Sequence, residues 1–283
     1  MKKAIIIITA VAVLIALALG LGLGLTLNKG ETAPDAKQTL GVWWWDNRLD
    51  DTYLDFAASQ GVTEIYYYAS SFSERISDFI GRANKKNIKV YWLTGKYEWI
   101  ENPAPLYELI SEYETFQSTS GYNRFSGIHF DIEPHQHPDF ETKRTQLISS
   151  FVSLVKTLAE TYPEFHISYD LPFWLEDEIA VGNVTKPAFQ FIMDYASSVT
   201  LMSYRDSADG VLSVSEEEIE YAKKTGKTLN LGVETGENSD DIVTFFEEGS
   251  AYMTAQLKLV RAAIPSSFGI AVHHVKSWEE LKK

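Results

Sequence analysis

From Thr39 to the C-terminus, short β-rich runs alternate with amphipathic stretches, a regularity that few folds accommodate. The runs Thr39–Trp45, Thr63–Ala69, Ile88–Thr94, Ser126–Glu133, Phe165–Asp170, Val199–Tyr204, Thr228–Glu234 and Phe268–His273 predict strands. Helical periodicity lies between them, over Leu54–Gln60, Arg75–Lys85, Pro105–Phe116, Arg144–Thr161, Lys186–Ser197, Glu216–Thr225 and Thr244–Ala263, with a short last helix at Ser277–Lys282. Eight strands separated by helices predict an α/β fold, a single (β/α)8 barrel. An open, doubly wound sheet is the alternative; the strand count and the lack of a Gly-rich nucleotide fingerprint weigh against it.

The first part of the chain is different. Lys2 and Lys3 precede a long apolar run from Ala4 to Leu27. At about 1.5 Å per residue such a run can cross a hydrocarbon core of about 30 Å, and it exceeds the roughly 7–15 apolar residues of a signal peptide. The expected organisation is a signal anchor or transmembrane helix over residues 1–28, a polar linker over 29–38 and a barrel over 39–283. Lysines ahead of the run favour an inside N-terminus. The barrel is then expected on the extracytoplasmic face, held by the membrane; secretion after signal cleavage is the alternative.

Charge and composition narrow the function. A net charge of −14 argues against nucleic-acid binding, which needs a basic face to displace counterions. The absence of Cys removes disulfides, thiolate catalysis and Cys-ligated zinc. Aromatic residues make up 13%, which suits both a large core and a cleft in which sugar C–H faces pack on rings.

In such barrels chemistry sits at the C-terminal ends of the strands, and here those ends are polar and aromatic. They include Trp43-Trp44-Trp45, Tyr66-Tyr67-Tyr68, Trp92, Asp131-Ile132-Glu133, Tyr169-Asp170, Tyr204-Arg205, Glu234-Thr235-Gly236 and His273-His274. On the fourth strand, alternation places His129, Asp131 and Glu133 on one face and Ile128, Phe130 and Ile132 on the other. The polar set is expected to point into the barrel. Buried carboxylates need partners or a task. Glu133, at the mouth, is placed to protonate a leaving oxygen, and a like-charged neighbour such as Asp131 favours the protonated form that a general acid needs.

These residues support two resemblances. Gly127-Ile-His-Phe-Asp131-Ile-Glu133 resembles the fourth-strand motif of family 18 chitinases and their relatives, where a run of aspartates ends in Asp-x-Glu. Met202-Ser-Tyr204 resembles their sixth-strand Met-x-Tyr, and Trp278 stands near the position of their sugar-stacking Trp. The resemblance implies Glu133 as acid/base, Asp131 orienting the substrate's N-acetyl group as nucleophile, and Tyr204 assisting. Ser126 and His129 stand where the family has its first two aspartates. The chain also resembles clan-A retaining glycosidases, with Glu133-Pro134 ending strand four and Glu234-Thr235-Gly236 ending strand seven. That likeness implies Glu234 as nucleophile or substrate contact, although Ile132 replaces the Asn of that clan.

The expectation is a monomeric hydrolase that cleaves a glycosidic bond in a carbohydrate and needs no cofactor. Trp43, Trp45, Tyr67, Trp92, His129, Asp170, Arg205 and Trp278 are the expected substrate contacts, with Asp170 and Arg205 bonding sugar hydroxyls or each other. Two alternatives stand beside it. One is a carbohydrate-binding barrel without turnover. The other is a metal-dependent hydrolase or deacetylase using the His129, Asp131 and Glu133 cluster.

Overall fold

The computed structural model describes residues 38–282. Eight parallel strands close a barrel: β1 (Leu40–Trp44), β2 (Glu64–Tyr68), β3 (Lys89–Thr94), β4 (Ile128–Phe130), β5 (Ile167–Pro172), β8 (Ser198–Met202), β9 (Thr228–Glu234) and β10 (Gly269–His273). Each pairs with its neighbours in chain order, and β10 returns to β1. Around it lie α1 (Asp51–Gln60), α2 (Glu74–Lys85), α3 (Ala104–Ser118), α4 (Phe140–Thr161), α5 (Ala188–Tyr195), α6 (Ala208–Ser213), α7 (Glu216–Thr225), α8 (Gly249–Ala263) and α9 (Val275–Glu280). One antiparallel hairpin, β6 (Glu178–Val181) with β7 (Val184–Pro187), interrupts the connection from β5 to α5.

One part of the expected fold class is corrected. No helix among the described residues is long and apolar enough to cross a membrane. The Ala4–Leu27 segment lies outside the described residues, so the fold class that stands is the (β/α)8 barrel alone. The hairpin and α6 were also not expected. β4 is shorter than the run Ser126–Glu133, and a 3-10 turn follows over Pro134–Gln136.

Local chemistry explains the regular elements. The Asp50 side chain accepts the Thr52 N–H at the start of α1, and Gly61 ends it with φ +79°, a conformation that Gly adopts at no steric cost. α2 buries Ile76, Phe79, Ile80 and Ala83, one stripe at helical spacing. Strand parity then divides the core. Trp44, Tyr67, Trp92 and Ile128 are paired across β1 to β4 and face the helices, within the main apolar core. Trp43, Tyr66, Tyr91 and Leu93 form the separate cluster inside the barrel.

Glu218 on α7 is a cost built into this outer layer. It is 1% exposed and its Oε1 has no partner. Burial pushes its carboxyl to about 8, with the backbone N–H of its own residue pulling the other way and Glu176 and Glu217 adding to the rise. An unfolded glutamate titrates near 4.3. The unfolded chain therefore ionises first, and stability is lost as pH rises from that value to about 8. Glu218→Gln is expected to be more stable than the parent by about 5 kcal/mol at pH 9 and indistinguishable from it at pH 4. Paired thermal melts at the two pH values check this; equal gains at both would show that charge is not the cause.

Candidate active site

The barrel interior is layered, and each layer follows from strand register. Trp43 pairs with Tyr66 and Tyr66 with Tyr91; His129 pairs with Ser168; Asp170 pairs with Thr200 and Thr200 with Asn230; Glu234 pairs with His273. Beyond β4, Asp131 and Glu133 continue the same face into the mouth.

Below the mouth lies a closed polar chain. The Trp43 indole N–H donates to Asp170 Oδ2 at 2.8 Å, and Asp170 Oδ1 lies 2.8 Å from His129 Nε2. His129 Nδ1 lies 2.7 Å from Ser168 Oγ, whose hydroxyl donates to the Ile128 carbonyl at 3.2 Å. The Tyr66 ring stacks on His129 with centroids 3.8 Å apart and planes 1° from parallel. Burial lowers His129 to about 3, against a small opposing influence of Glu64. Burial also pushes Asp170 well above the usual carboxyl range, with the Trp43 hydrogen bond opposing. Although the contact has the distance of an ion pair, both partners are therefore neutral. One assignment of protons satisfies every atom: Asp170 O–H donates to His129 Nε2, His129 Nδ1–H donates to Ser168, and Ser168 donates to Ile128.

The mouth combines carboxyls in different environments. The Asp131 N–H donates to the Thr94 carbonyl at 3.0 Å. A Cβ at Gly95 would sit 1.7 Å from the Asp131 carbonyl oxygen, so the backbone passes there only because residue 95 is Gly. Asp131 Oδ1 is buried and has no hydrogen-bond partner. Burial, with Asp170 and Glu133 alongside, pushes the Asp131 carboxyl well above the usual range. Glu133 reaches further out, its side chain 18% exposed. The turn at Pro134–Gln136 folds two residues back onto it: Gln136 Nε2 donates to Oε1 at 2.5 Å, and His135 Nε2 lies 3.0 Å from Oε2.

Glu234 is the opposite case. Its Oε1 accepts the Thr235 and Gly236 N–H groups at 2.7 and 2.6 Å, and its Oε2 lies 2.7 Å from His273 Nδ1. Burial pushes it up, but the His273 hydrogen bond and the two backbone N–H groups outweigh that, leaving it an anion below the usual range. Tyr204 lies among these groups. Burial raises its phenol well above the usual range, helped by the surrounding carboxyl groups of Asp170, Glu234, Asp131 and Glu133. Its ring fits against Gly232, where a Cβ would lie 3.4 Å from Cε1.

Asp131, Glu133, Tyr204 and Glu234 thus converge at the mouth, and Trp45 joins them, partly exposed, with its indole N–H 2.9 Å from His273 Nε2. Several expected contacts are corrected. His129 and Trp43 are 0% and 1% exposed and lie beneath the site. Trp92 faces the helices and donates to the Ala69 carbonyl; Tyr67 packs on Phe79 and is buried, yet it also borders the cleft beside Trp45. Asp170 is sealed in the polar chain and does not meet Arg205, which stacks on Phe173 at 4.7 Å. Trp278 is a core residue, packed edge-on against Phe56 at 5.4 Å. Both nitrogens of His129 are committed, so the His129, Asp131 and Glu133 set does not converge as ligands, and no group of three or more metal-binding side chains occurs among the described residues.

Sequence reasoning missed others. Tyr68 lies beside Trp45 with ring centroids 5.5 Å apart, and the two border a cleft of about 540 Å³ that also takes in Asp46, Ser71 and Arg75. Parity carried from Trp43 and Trp45 to β2 would have selected Tyr66 and Tyr68 over Tyr67. His273 stands at a polar strand end in the sequence, but its contact with Glu234 follows only from the β9–β10 register. Trp174, 5.2 Å from the His135 ring, sits in a loop with no periodicity to reveal it.

No protein-family model matches the chain, and no curated protein matches it. Solved structures do. A family 18 chitinase variant from Cycas revoluta, in complex with (GlcNAc)4, is similar with a TM-score of 0.52 and 15% identity, over 84% of this chain and 95% of that one. A spore cortex-lytic enzyme from Bacillus megaterium is similar with a TM-score of 0.52 and 13% identity, over 86% and 73%. A xylanase and α-amylase inhibitor protein from Scadoxus multiflorus has a TM-score of 0.52 and 13% identity, over 86% and 95%. The likeness shows the fold: a (β/α)8 barrel, shared by enzymes and by an inhibitor.

Proposed function

We propose that this barrel hydrolyses a glycosidic bond next to an N-acetylated sugar, with Glu133 as acid/base and the substrate's own acetamide as nucleophile. The observation that supports this best is the contrast between two carboxyls. Asp131 keeps a buried oxygen with no partner at the mouth, whereas Glu234 has both oxygens occupied. A nucleophile supplied by the protein would attack through Glu234 Oε2, which His273 already engages, whereas an acetamide N–H needs an open acceptor, which Asp131 Oδ1 offers.

In this reading Glu133 gives its proton to the leaving oxygen while the acetamide oxygen closes on the anomeric carbon. The free Asp131 oxygen accepts the acetamide N–H, and the Tyr204 O–H, held protonated by burial, donates to the acetamide oxygen before attack. Glu133, now a base, takes a proton from the water that opens the intermediate, and the sugar leaves with retained configuration. Trp45 is the proposed ring contact.

The test uses N-acetylated and de-N-acetylated forms of one oligosaccharide. Only the N-acetylated form is expected to be cleaved, with inhibition by a thiazoline analogue of the cyclised acetamide. A slow fluorosugar is expected to leave no label on the protein. Mass spectrometry that finds Glu234 labelled refutes substrate assistance, and binding of oligosaccharide without any turnover assigns the barrel to carbohydrate capture instead.

A further inference from the structure

The contacts of Glu234 form a directed chain. Two backbone N–H groups hold Oε1, so Oε2 alone faces His273. An ionised carboxylate only accepts, which fixes the proton of His273 on Nδ1. Nε2 then carries a lone pair, and the Trp45 indole N–H, a group that only donates, points at it from 2.9 Å. The Trp45 plane is therefore determined by the charge state of a residue on another strand. The groups surrounding His273 agree with this order: Trp43 packs edge-on at 5.6 Å, Tyr204 lies at 6.0 Å and His274 at 5.2 Å, and none of them takes either ring nitrogen.

Resting on the glycosidase reading, we infer that Glu234 and His273 are positioning residues that fix the Trp45 indole as the sugar-stacking wall of the mouth. Glu234 forms no bond to the sugar. Its contribution is to set the tautomer of His273, and through it the angle at which Trp45 meets a pyranose ring.

Glu234→Gln tests this, because the amide keeps the shape but turns an acceptor into a donor. With Oε1 held by the two backbone N–H groups, the amide NH2 faces Nδ1, the His273 proton moves to Nε2, and Trp45 loses its acceptor. In the free protein the indole N–H resonance of Trp45, identified by its loss in Trp45→Phe, is expected to shift and to exchange faster with solvent. A resonance unmoved by Glu234→Gln overturns the inference whether or not any sugar binds. For an N-acetylated oligosaccharide, Glu234→Gln and Trp45→Ala are each expected to weaken binding by about tenfold, the size of one lost aromatic contact. The double variant is expected to be no weaker than Trp45→Ala alone. Additive losses would overturn the inference, as would a collapse of kcat in Glu234→Gln with KM unchanged. Failure of the wild type to cleave any glycoside would overturn the enzymatic reading and leave the resonance test standing.

Discussion

Glu133→Gln is expected to lose roughly 10²–10⁴-fold in kcat on an N-acetylated oligosaccharide, the usual size of general acid/base catalysis. The amide has the shape of the acid and no proton to give. Its surroundings tolerate the change: Gln136 still finds an oxygen at Oε1, and the exposed His135 can present either ring tautomer to the new NH2. The side chain is at the mouth and makes no part of the apolar core, so the melting temperature is expected to stay within a degree or two of the parent. Wild-type turnover by Glu133→Gln would end the assignment. A large fall in melting temperature alongside the lost activity would instead make Glu133 a structural residue.

Asp170→Ala is expected to cost about 3–5 kcal/mol of folding stability, because it strips a partner from two fully buried groups at about 1–3 kcal/mol each and leaves a void. Those groups are the Trp43 N–H and His129 Nε2. Asp170→Asn should behave differently. A neutral carboxyl accepts from Trp43 and donates to His129, and an amide in the same place does both. If Asp170 were instead an anion facing a cationic His129, the Asn variant would fail nearly as badly as Ala. The pH dependence separates the two further. An acid held above its unfolded value, about 3.9, weakens the fold as pH rises from there, since the unfolded chain ionises first. Asp170→Asn escapes that loss, so its stability relative to wild type is expected to improve as pH increases. Denaturant titrations at pH 4 and pH 7 read both comparisons, and an Asn variant that loses ground with rising pH would refute the neutral pair.

The barrel was legible because its strands are buried on both faces and read as short continuous apolar runs, which stand out against the helical periodicity between them. The β6–β7 hairpin is equally written, in Val181-Gly182-Asn183-Val184, where a two-residue Gly-Asn loop with Gly182 at φ +61° is a hairpin signal; the helical periodicity over Lys186–Ser197 overlaps the end of its second strand. Within the site, parity predicted the inward face of His129, Asp131 and Glu133. It could not predict depth. Whether an inward residue lies at the mouth or under it depends on the stagger between strands, and that stagger puts His129 and Trp43 beneath the residues that solvent can reach. The misplaced aromatics have the same origin. Tyr67 and Trp92 belong to the outward row with Trp44, a relation fixed by pairing across strands. Trp278 depends on the face α9 turns to α1, which no motif near a strand end encodes.

The polar chain beneath the mouth has a direction. Every proton in it points the same way, from the Trp43 indole and Asp170 through His129 and Ser168, and it ends on the Ile128 carbonyl, an oxygen with no proton to pass on. A hydrogen-bonded file of this kind conducts only if its last member can release what its first member receives. Here the file is blind-ended, so the floor of the site insulates. In the proposed reaction, protons consumed and returned at Glu133 would be exchanged with bulk water through the opening above it, as exposed to the buffer outside as they are closed off from the barrel below.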